Sequence, residues 1–364
     1  MKDYNESLLL AGITRRYENK CVINNLNLKL SLGQVTCLLG PSGCGKSTTL
    51  RIAAGVEKQD SGEVFIDGEL ISNSRSLHMP PEYRRVGLMF QDFALFPHLT
   101  ILENVIFGIQ YQDKKITIRN RAMDLLDRVD LSNSFKKYPH MLSGGEQQRV
   151  ALVRAIAPRP RVMLMDEPFS GLDNRLRDDI RDQTLSVLKE EKTAVLLVTH
   201  EPDEAMRMAD SIALMRDGAI IQEGAPYNIY NKPIDSGVAS FFSDVNIISG
   251  RVKQSKIDTS FGWFITPGIS DGTSVQILIR PQHLKIDFDR NGKGPNPTSE
   301  DGVPARGVVS RARFMGKESL VELCMDTDGS VLKATIPGVF LPTQGTPLWL
   351  SMRRDRCFVF KDNN

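Results

Sequence analysis

Three short apolar runs in the first part of the chain each stop at a residue that carries chemistry. VTCLLG, residues 35 to 40, ends at Gly40. VMLMDEP, residues 162 to 168, gives way to Asp166 and Glu167, and TAVLLVTHE, from Thr193, reaches His200. Unbroken apolar runs of this length fit strands buried on both faces of a parallel sheet, whose carboxyl ends are where such sheets bind ligands. The first run leads through a glycine-rich turn into the helix-compatible TLRIAAGV, and the third into PDEAMRMAD. A further helix-compatible stretch, EQQRVALVRAIA, follows the turn LSGG at residues 142 to 145. Strand and helix alternate, which predicts an α/β domain.

The texture changes at PYNIYNKPIDSGVASFFSDVN, residues 226 to 246. Beyond it come short alternating segments separated by Gly, Pro, Asn or Asp: IISGRVKQ, WFITPG, SVQILIRPQHLKID, ARGVVSRARFMGKESLVELCM, VLKATIPG and PLWLSMRRD. These predict an all-β domain. NGKGPNPTSEDG, residues 291 to 302, reads as a long polar loop. The expected division is residues 1–240 for the α/β domain and 241–364 for the β domain.

A length of 364 residues agrees with two domains. Hydrophobic residues make up 41% and charged residues 25%, with a net charge of +2. That balance excludes a disordered chain and gives no broad basic footprint for nucleic acid. No apolar run reaches the roughly 18 residues of a membrane span. The apolar stretch near the start is too short for a secretory signal. Five scattered cysteines, without a C-x-x-C pair, fit a reducing compartment rather than a zinc or disulfide framework.

The glycine-rich turn is GPSGCGKST, residues 40 to 48. Gly40, Gly43 and Gly45 let the backbone fold around phosphate oxygens with N–H groups inward, and Pro41, Ser42 and Cys44 fill the loop between them. Lys46 can reach the β- and γ-phosphates, the Ser47 hydroxyl can hold Mg2+, and Thr48 continues into the helix. Asp166 suits the same Mg2+ shell, Glu167 can act as base toward a water, and His200 can fix that water against the γ-phosphate. Ser143, Gly144 and Gly145, at the start of a helix, form a second place suited to an anion.

A P-loop, a strand ending in DE, a strand ending in His and the stretch LSGGEQQR together resemble the nucleotide-binding subunit of an ATP-binding cassette (ABC) transporter, over about residues 8 to 240. The resemblance implies a P-loop ATPase domain of mixed sheet plus a helical subdomain at about residues 92–157. It implies a homodimer in which Ser143, Gly144, Gly145 and Glu146 of one subunit meet ATP held by the other. It also implies that Tyr17 stacks on adenine, that Gln91 senses Mg2+ and the attacking water, and that Asp173 meets its counterpart across the dimer. Glu146 stands where Gln is commoner and Gly171 where Ala often stands, neither of which removes a group that the chemistry uses. The β domain is similar to the OB-like (TOBE) regulatory domains of importer ATPases.

On this resemblance the chain sits peripherally on the cytoplasmic face of a bacterial inner membrane. It pairs with two transmembrane permease subunits, docking through residues 92 to 109, and is served indirectly by an extracytoplasmic solute-binding protein. The junction FFSDVNIISG is most similar to ferric-iron importer ATPases, with polyamine and then sugar importers behind. A non-transport ABC ATPase acting on DNA or the ribosome is the rival class. Against it stand the single P-loop and the mere hundred or so residues between P-loop and signature, too few for a long coiled coil.

Overall fold

The computed structural model describes residues 6–109, 115–170, 174–289 and 292–362. Among them the chain divides into two compact units, Met1–Lys232 and Pro233–Asn364. The division falls a few residues before the expected boundary at 240. The reason is local: Asp235 caps a helix whose following residue, Ser243, accepts a hydrogen bond from Arg280 at 2.7 Å.

The first unit opens with two long strands, β1 (Glu6–Tyr17) and β2 (Lys20–Ser31), joined by a turn in which Glu18 is left-handed. Strand β3 (Val35–Leu39) leads to helix α1 (Lys46–Ala54), and β4 (Ser61–Ile66) and β5 (Glu69–Asn73) form a hairpin. Strand β6 (Val86–Met89) precedes three helices, α2 (Ile101–Phe107), α3 (Lys115–Arg128) and α4 (Gly144–Ile156). Then come β7 (Val162–Asp166), α5 (Asn174–Glu190), β8 (Ala194–Thr199), α6 (Pro202–Met208), β9 (Ser211–Arg216), β10 (Ala219–Gly224) and α7 (Pro226–Asn231).

These strands make two sheets. One has the order β10-β9-β3-β8-β7-β6, with every pairing parallel except β10 with β9. The other is antiparallel, β2-β1-β4-β5. Both sheets and α1 contribute to one core, with Leu10, Leu28 and Val64 on one side, Leu38, Leu164 and Leu196 on the other, and Leu50 and Ala53 from α1. The antiparallel sheet was not read from the sequence. Its strands alternate buried and exposed positions, as in Leu26, Leu28 and Leu30, and β1 is further broken by register shifts.

The parallel sheet is what assembles the site. Its register sets Leu39 beside Thr199, Asp166 beside Val198 and Met89 beside Met165. Four strands therefore finish along one edge, each delivering its next residues to the same place. Strands β3 and β8 are buried throughout, and β7 is buried except at Asp166, which accounts for their unbroken apolar sequences.

The second unit begins with α8 (Ser236–Phe242) and is otherwise β. Its strands are β11 (Asn246–Arg251), β12 (Lys256–Thr259), β13 (Gly262–Ile265), β14 (Ser274–Ile279), β15 (Leu284–Phe288), β16 (Ala305–Phe314), β17 (Glu318–Met325), β18 (Val331–Pro337), β19 (Pro347–Met352) and β20 (Phe358–Lys361). They pair antiparallel as β11-β14-β20, β12-β13 and β15-β19-β16-β17-β18. Phe261, Phe264, Ile277, Val321 and Leu350 share one core, giving the expected all-β, OB-like domain. Among the described residues the sheets do not close into a single ring. No helix among them is long and apolar enough to cross a membrane.

Candidate nucleotide site

The loop Gly40–Gly45 leaves β3 and turns into α1. Gly43 and Gly45 are left-handed, with φ of 79° and 107°. At Gly45 a Cβ would also lie 2.6 Å from Val22 O, and at Gly40 a Cβ would lie 2.2 Å from Met215 O. Neither site accepts another residue without moving backbone. Gly45 gives α1 no side-chain cap, and no acidic residue stands in its first turn. The amino end of α1 thus keeps its N–H groups and positive dipole end for an outside acceptor. Lys46, buried to 6% exposure, donates to Gly40 O at 2.8 Å and Pro41 O at 3.0 Å. The far end of α1 is capped by the buried Arg84, which donates to Ile52 O and Ala53 O at 2.8 and 3.0 Å. Burial pulls that guanidinium down to about 10.

Ser47 donates its hydroxyl to Asp166 Oδ1 at 3.1 Å. Two oxygens on neighbouring corners of an octahedron with bonds of about 2.1 Å stand about 3 Å apart, so this pair fits a small hard cation such as Mg2+. Burial pushes the Asp166 carboxyl above its ordinary value, while the Ser47 hydrogen bond pulls it down. Glu167 follows in left-handed backbone, φ 45°, its N–H donating to Val198 O at 2.9 Å. The conformation costs about 1–2 kcal/mol for a side-chain-bearing residue and turns Glu167 away from the run of β7.

The Glu167 carboxylate meets His200 Nδ1 at 2.8 Å and Gln91 Nε2 at 3.4 Å. A carboxylate only accepts, so the shared proton sits on Nδ1. Gln91 Nε2 also donates to Ser170 Oγ at 3.4 Å, a residue that sequence reasoning did not single out. The structure therefore brings Ser47, Asp166, Glu167, His200, Gln91 and Ser170 together beside the loop. A cleft of about 680 Å3 is lined by Arg51, Gln91, Phe93, Gly144, Asp166 and Ser170 among others. An acid base, a hydrogen-bonding amide and an imidazole gathered there can orient and deprotonate a water.

The second anion-directed segment begins at Ser143, the N-cap of α4, with Gly144 and Gly145 in its first turn. A Cβ on Gly144 would meet nothing within 4 Å, so the chain's own packing does not demand glycine there. Glu146 differs from its expected part. Its Oε2 accepts the Ser143 N–H at 2.9 Å and the Ser143 hydroxyl at 2.8 Å, closing a capping box. These bonds, the backbone one first, hold the Glu146 carboxyl below the usual carboxylate range. Ser143 has one hydroxyl proton, and Glu146 engages it. What Glu146 adds over the commoner Gln is a negative charge in this box, since either residue can close it. The S-x-x-E spacing is itself the sequence signal for this box.

Tyr17 ends β1 and is 41% exposed. One ring face is covered by Arg15, whose guanidinium carbon lies 4.8 Å from the ring centroid, and its hydroxyl bonds to Glu57. Arg15 is held in turn by Glu57 at 2.7 Å and Asp60 at 2.8 Å. Arg15, Glu57 and Asp60 escaped the sequence reading because they lie on opposite sides of α1 in the chain. The expected dimer-loop residue Asp173 lies outside the described residues. Glu201 belongs to a further network: its N–H donates to Thr199 Oγ1 at 3.1 Å, Thr199 bonds to the buried Glu204, and Arg181 approaches Glu204 at 3.5 Å.

Residues 23–170 match the ABC transporter family, and residues 277–360 match the TOBE domain. The spermidine/putrescine import ATP-binding protein PotA of Vibrio vulnificus strain YJ016 is 37% identical over 324 residues, spanning 86% of this chain and 83% of that protein. PotA of Escherichia coli strain K12 is 38% identical over 329 residues, with the same coverage of 86% and 83%. Among solved structures, the dimeric bacterial ABC transporter cassette MJ0796 is 32% identical with a TM-score of 0.53, over 60% of this chain and 98% of that one. A post-hydrolysis dimer of the same cassette, bound to ADP and Pi, matches equally. These curated relatives are polyamine importers, so ranking ferric iron first among solutes is not supported.

Proposed function

The chain belongs to the ABC transporter family of ATP-binding proteins, with a C-terminal TOBE domain, and from that premise we propose that it hydrolyses ATP as a homodimer to drive polyamine import. The observation that carries this reading is the convergence of Ser47, Asp166, Glu167, His200 and Gln91 beside the glycine loop. Spermidine or putrescine is the solute class favoured by relatives that match over most of their length.

In this reading the loop N–H groups and the amino end of α1 cradle the triphosphate, and Lys46 exchanges its carbonyl partners for phosphate oxygens. Ser47 and Asp166 hold Mg2+, which when bound neutralises charge on the β- and γ-phosphates. Glu167 accepts the proton of the attacking water, while His200 and Gln91 orient that water. Tyr17 offers adenine the face that Arg15 leaves uncovered. Ser143 and the turn at Gly144 and Gly145 cap the phosphate held by the second subunit. The open space around the Gly144 Cβ position supports this, because close approach by an outside group is what remains to explain the glycine. Binding closes the dimer and hydrolysis releases it, so the two states differ in nucleotide contacts, as a driving cycle requires. The movement passes to membrane permeases through residues 92 to 109, where Phe107 is 48% exposed. In this reading the protein sits peripherally at the cytoplasmic face of the inner membrane.

Two measurements test the reading. Glu167→Gln lowers hydrolysis by about 100- to 10,000-fold while ATP binding persists, and an unchanged rate removes Glu167 as base. Cells lacking the gene lose uptake of labelled putrescine or spermidine and keep iron uptake. The reverse pattern overturns the solute assignment without touching the ATPase chemistry.

A further inference from the structure

Gln91 stands on a loop that leaves β6 and runs to α2. Within it Phe93 and Ala94 are consecutive, non-glycine and left-handed, with φ of 61° and 45°. Residues bearing a side chain adopt that region at a cost, and two in succession need support from elsewhere. The support comes from about 60 residues further along the chain. Arg154 Nη1 donates to Ala94 O at 2.7 Å, and Nη2 donates to Phe93 O at 2.9 Å. The same guanidinium lies over the Phe96 ring, 5.4 Å from its centroid. Downstream, the buried Asn104 fixes the exit of the loop, accepting Phe96 N–H at 2.9 Å and donating to Phe96 O and Leu99 O at 3.1 Å. Upstream, Gln91 reaches Glu167 and Ser170. Arg154 is the middle support of the loop.

Arg154 is also part of α4, the helix capped by Ser143. At 1.5 Å per residue the two stand about 16 Å apart along one stiff element. We propose that Arg154 is a positioning residue that ties Gln91 to α4, so that a displacement at the signature end of the helix reaches Gln91 through one bidentate contact. A planar fork fixes direction as well as distance, which a single point charge does not. Occupation of the signature by a second subunit's nucleotide is thereby reported to the residue beside Glu167. The inference rests on the proposed roles of Gln91 and of Ser143 to Gly145. It adds a residue that touches neither nucleotide nor reacting atoms.

The test is a double-mutant cycle on the full-length chain, reading kcat and KM for ATP hydrolysis together with Tm. Gln91→Ala and Arg154→Met each lower kcat about 10-fold, and the double variant falls no further, a coupling of about 1.4 kcal/mol. KM for ATP stays within about 2-fold, because the latch acts after the nucleotide is bound. Arg154→Lys keeps the charge, loses the fork and behaves as Arg154→Met. If Arg154→Met does not fold, the lysine variant carries the same cycle. Losses that multiply in the double variant overturn the proposal, since a merely structural role lowers the active fraction equally in both backgrounds. An unchanged kcat in either Arg154 variant overturns it too. An unchanged kcat in Gln91→Ala instead removes the role given to Gln91, and the proposal falls with it.

Discussion

Two helices of this chain begin at an anion-directed turn, and they finish that turn in opposite ways. At α1 the cap is Gly45, with no side chain to bond the first N–H groups and no acid in the first turn. Gly45 and Gly40 are demanded from within, because Val22 O and Met215 O occupy the space where their Cβ atoms would stand. At α4 the cap is Ser143, and Glu146 closes on it from one turn ahead. Gly144 there faces open space. One terminus is shaped by its own fold and left chemically unfinished. The other is chemically finished by its own carboxylate, and the chain's own packing does not demand its glycine at Gly144. A ligand at α1 meets a helix end that no side chain caps, whereas a ligand seeking the Ser143 hydroxyl at α4 competes with Glu146.

Substituting the glycines gives the widest contrast. Gly45→Ala adds a Cβ 2.6 Å from Val22 O at a φ of 107°. ATP binding, followed with a fluorescent analogue, weakens about 100-fold, in line with 2–3 kcal/mol of strain. Gly144→Ala leaves Tm unchanged and that binding within about 2-fold but slows hydrolysis by the dimer about 10-fold. Equal effects on binding from the two alanines would erase the distinction between them.

Glu146→Gln sharpens the other half of the comparison. It removes a negative charge from the first turn of α4, which would cost about 1 kcal/mol against a phosphate charge brought within about 4 Å in water. The ATP concentration giving half-maximal dimer, measured by light scattering in the Glu167→Gln background, falls about 5-fold. A rise would mean that the carboxylate helps the phosphate site rather than competing with it.

The smallest effect is one of pH. Glu146 ionises more readily in the folded chain than a free glutamate does, held down first by the Ser143 N–H and then by its hydroxyl. Its contribution to stability is therefore present above the ordinary glutamate value and lost as pH falls through the lower folded one. The Tm difference between wild type and Glu146→Gln shrinks from about pH 7 toward about pH 3. A constant difference would locate the stabilisation in something other than the ionised capping box.

Much of the site was legible because its chemistry ends apolar runs. Gly40 and His200 each follow, and Asp166 ends, a strand that is buried nearly throughout, and a parallel register puts such ends along one edge. The capping box was legible too, as Ser143 and Glu146 at three-residue spacing. Less legible was the antiparallel sheet, whose β1 carries register shifts that blur its period. Strands β12 and β20 have four residues each and give no period to read. The supports around the site were not legible at all. Arg15 finds Glu57 and Asp60 more than 40 residues away, and Arg154 finds the Phe93 and Ala94 carbonyls about 60 away.

What the sequence determined alone was whatever depends on neighbours within a turn or a strand: backbone freedom at Gly43 and Gly45, the buried runs of β3, β7 and β8, and which residues sit at their ends. Those preferences are set by sterics and by side-chain period, both local. The tertiary structure decided which carbonyl an arginine meets, which face of Tyr17 is covered and whose carboxylate engages Ser47. Hydrogen bonds extend only about 3 Å, so partners far apart in the chain are chosen by the packing that brings them together.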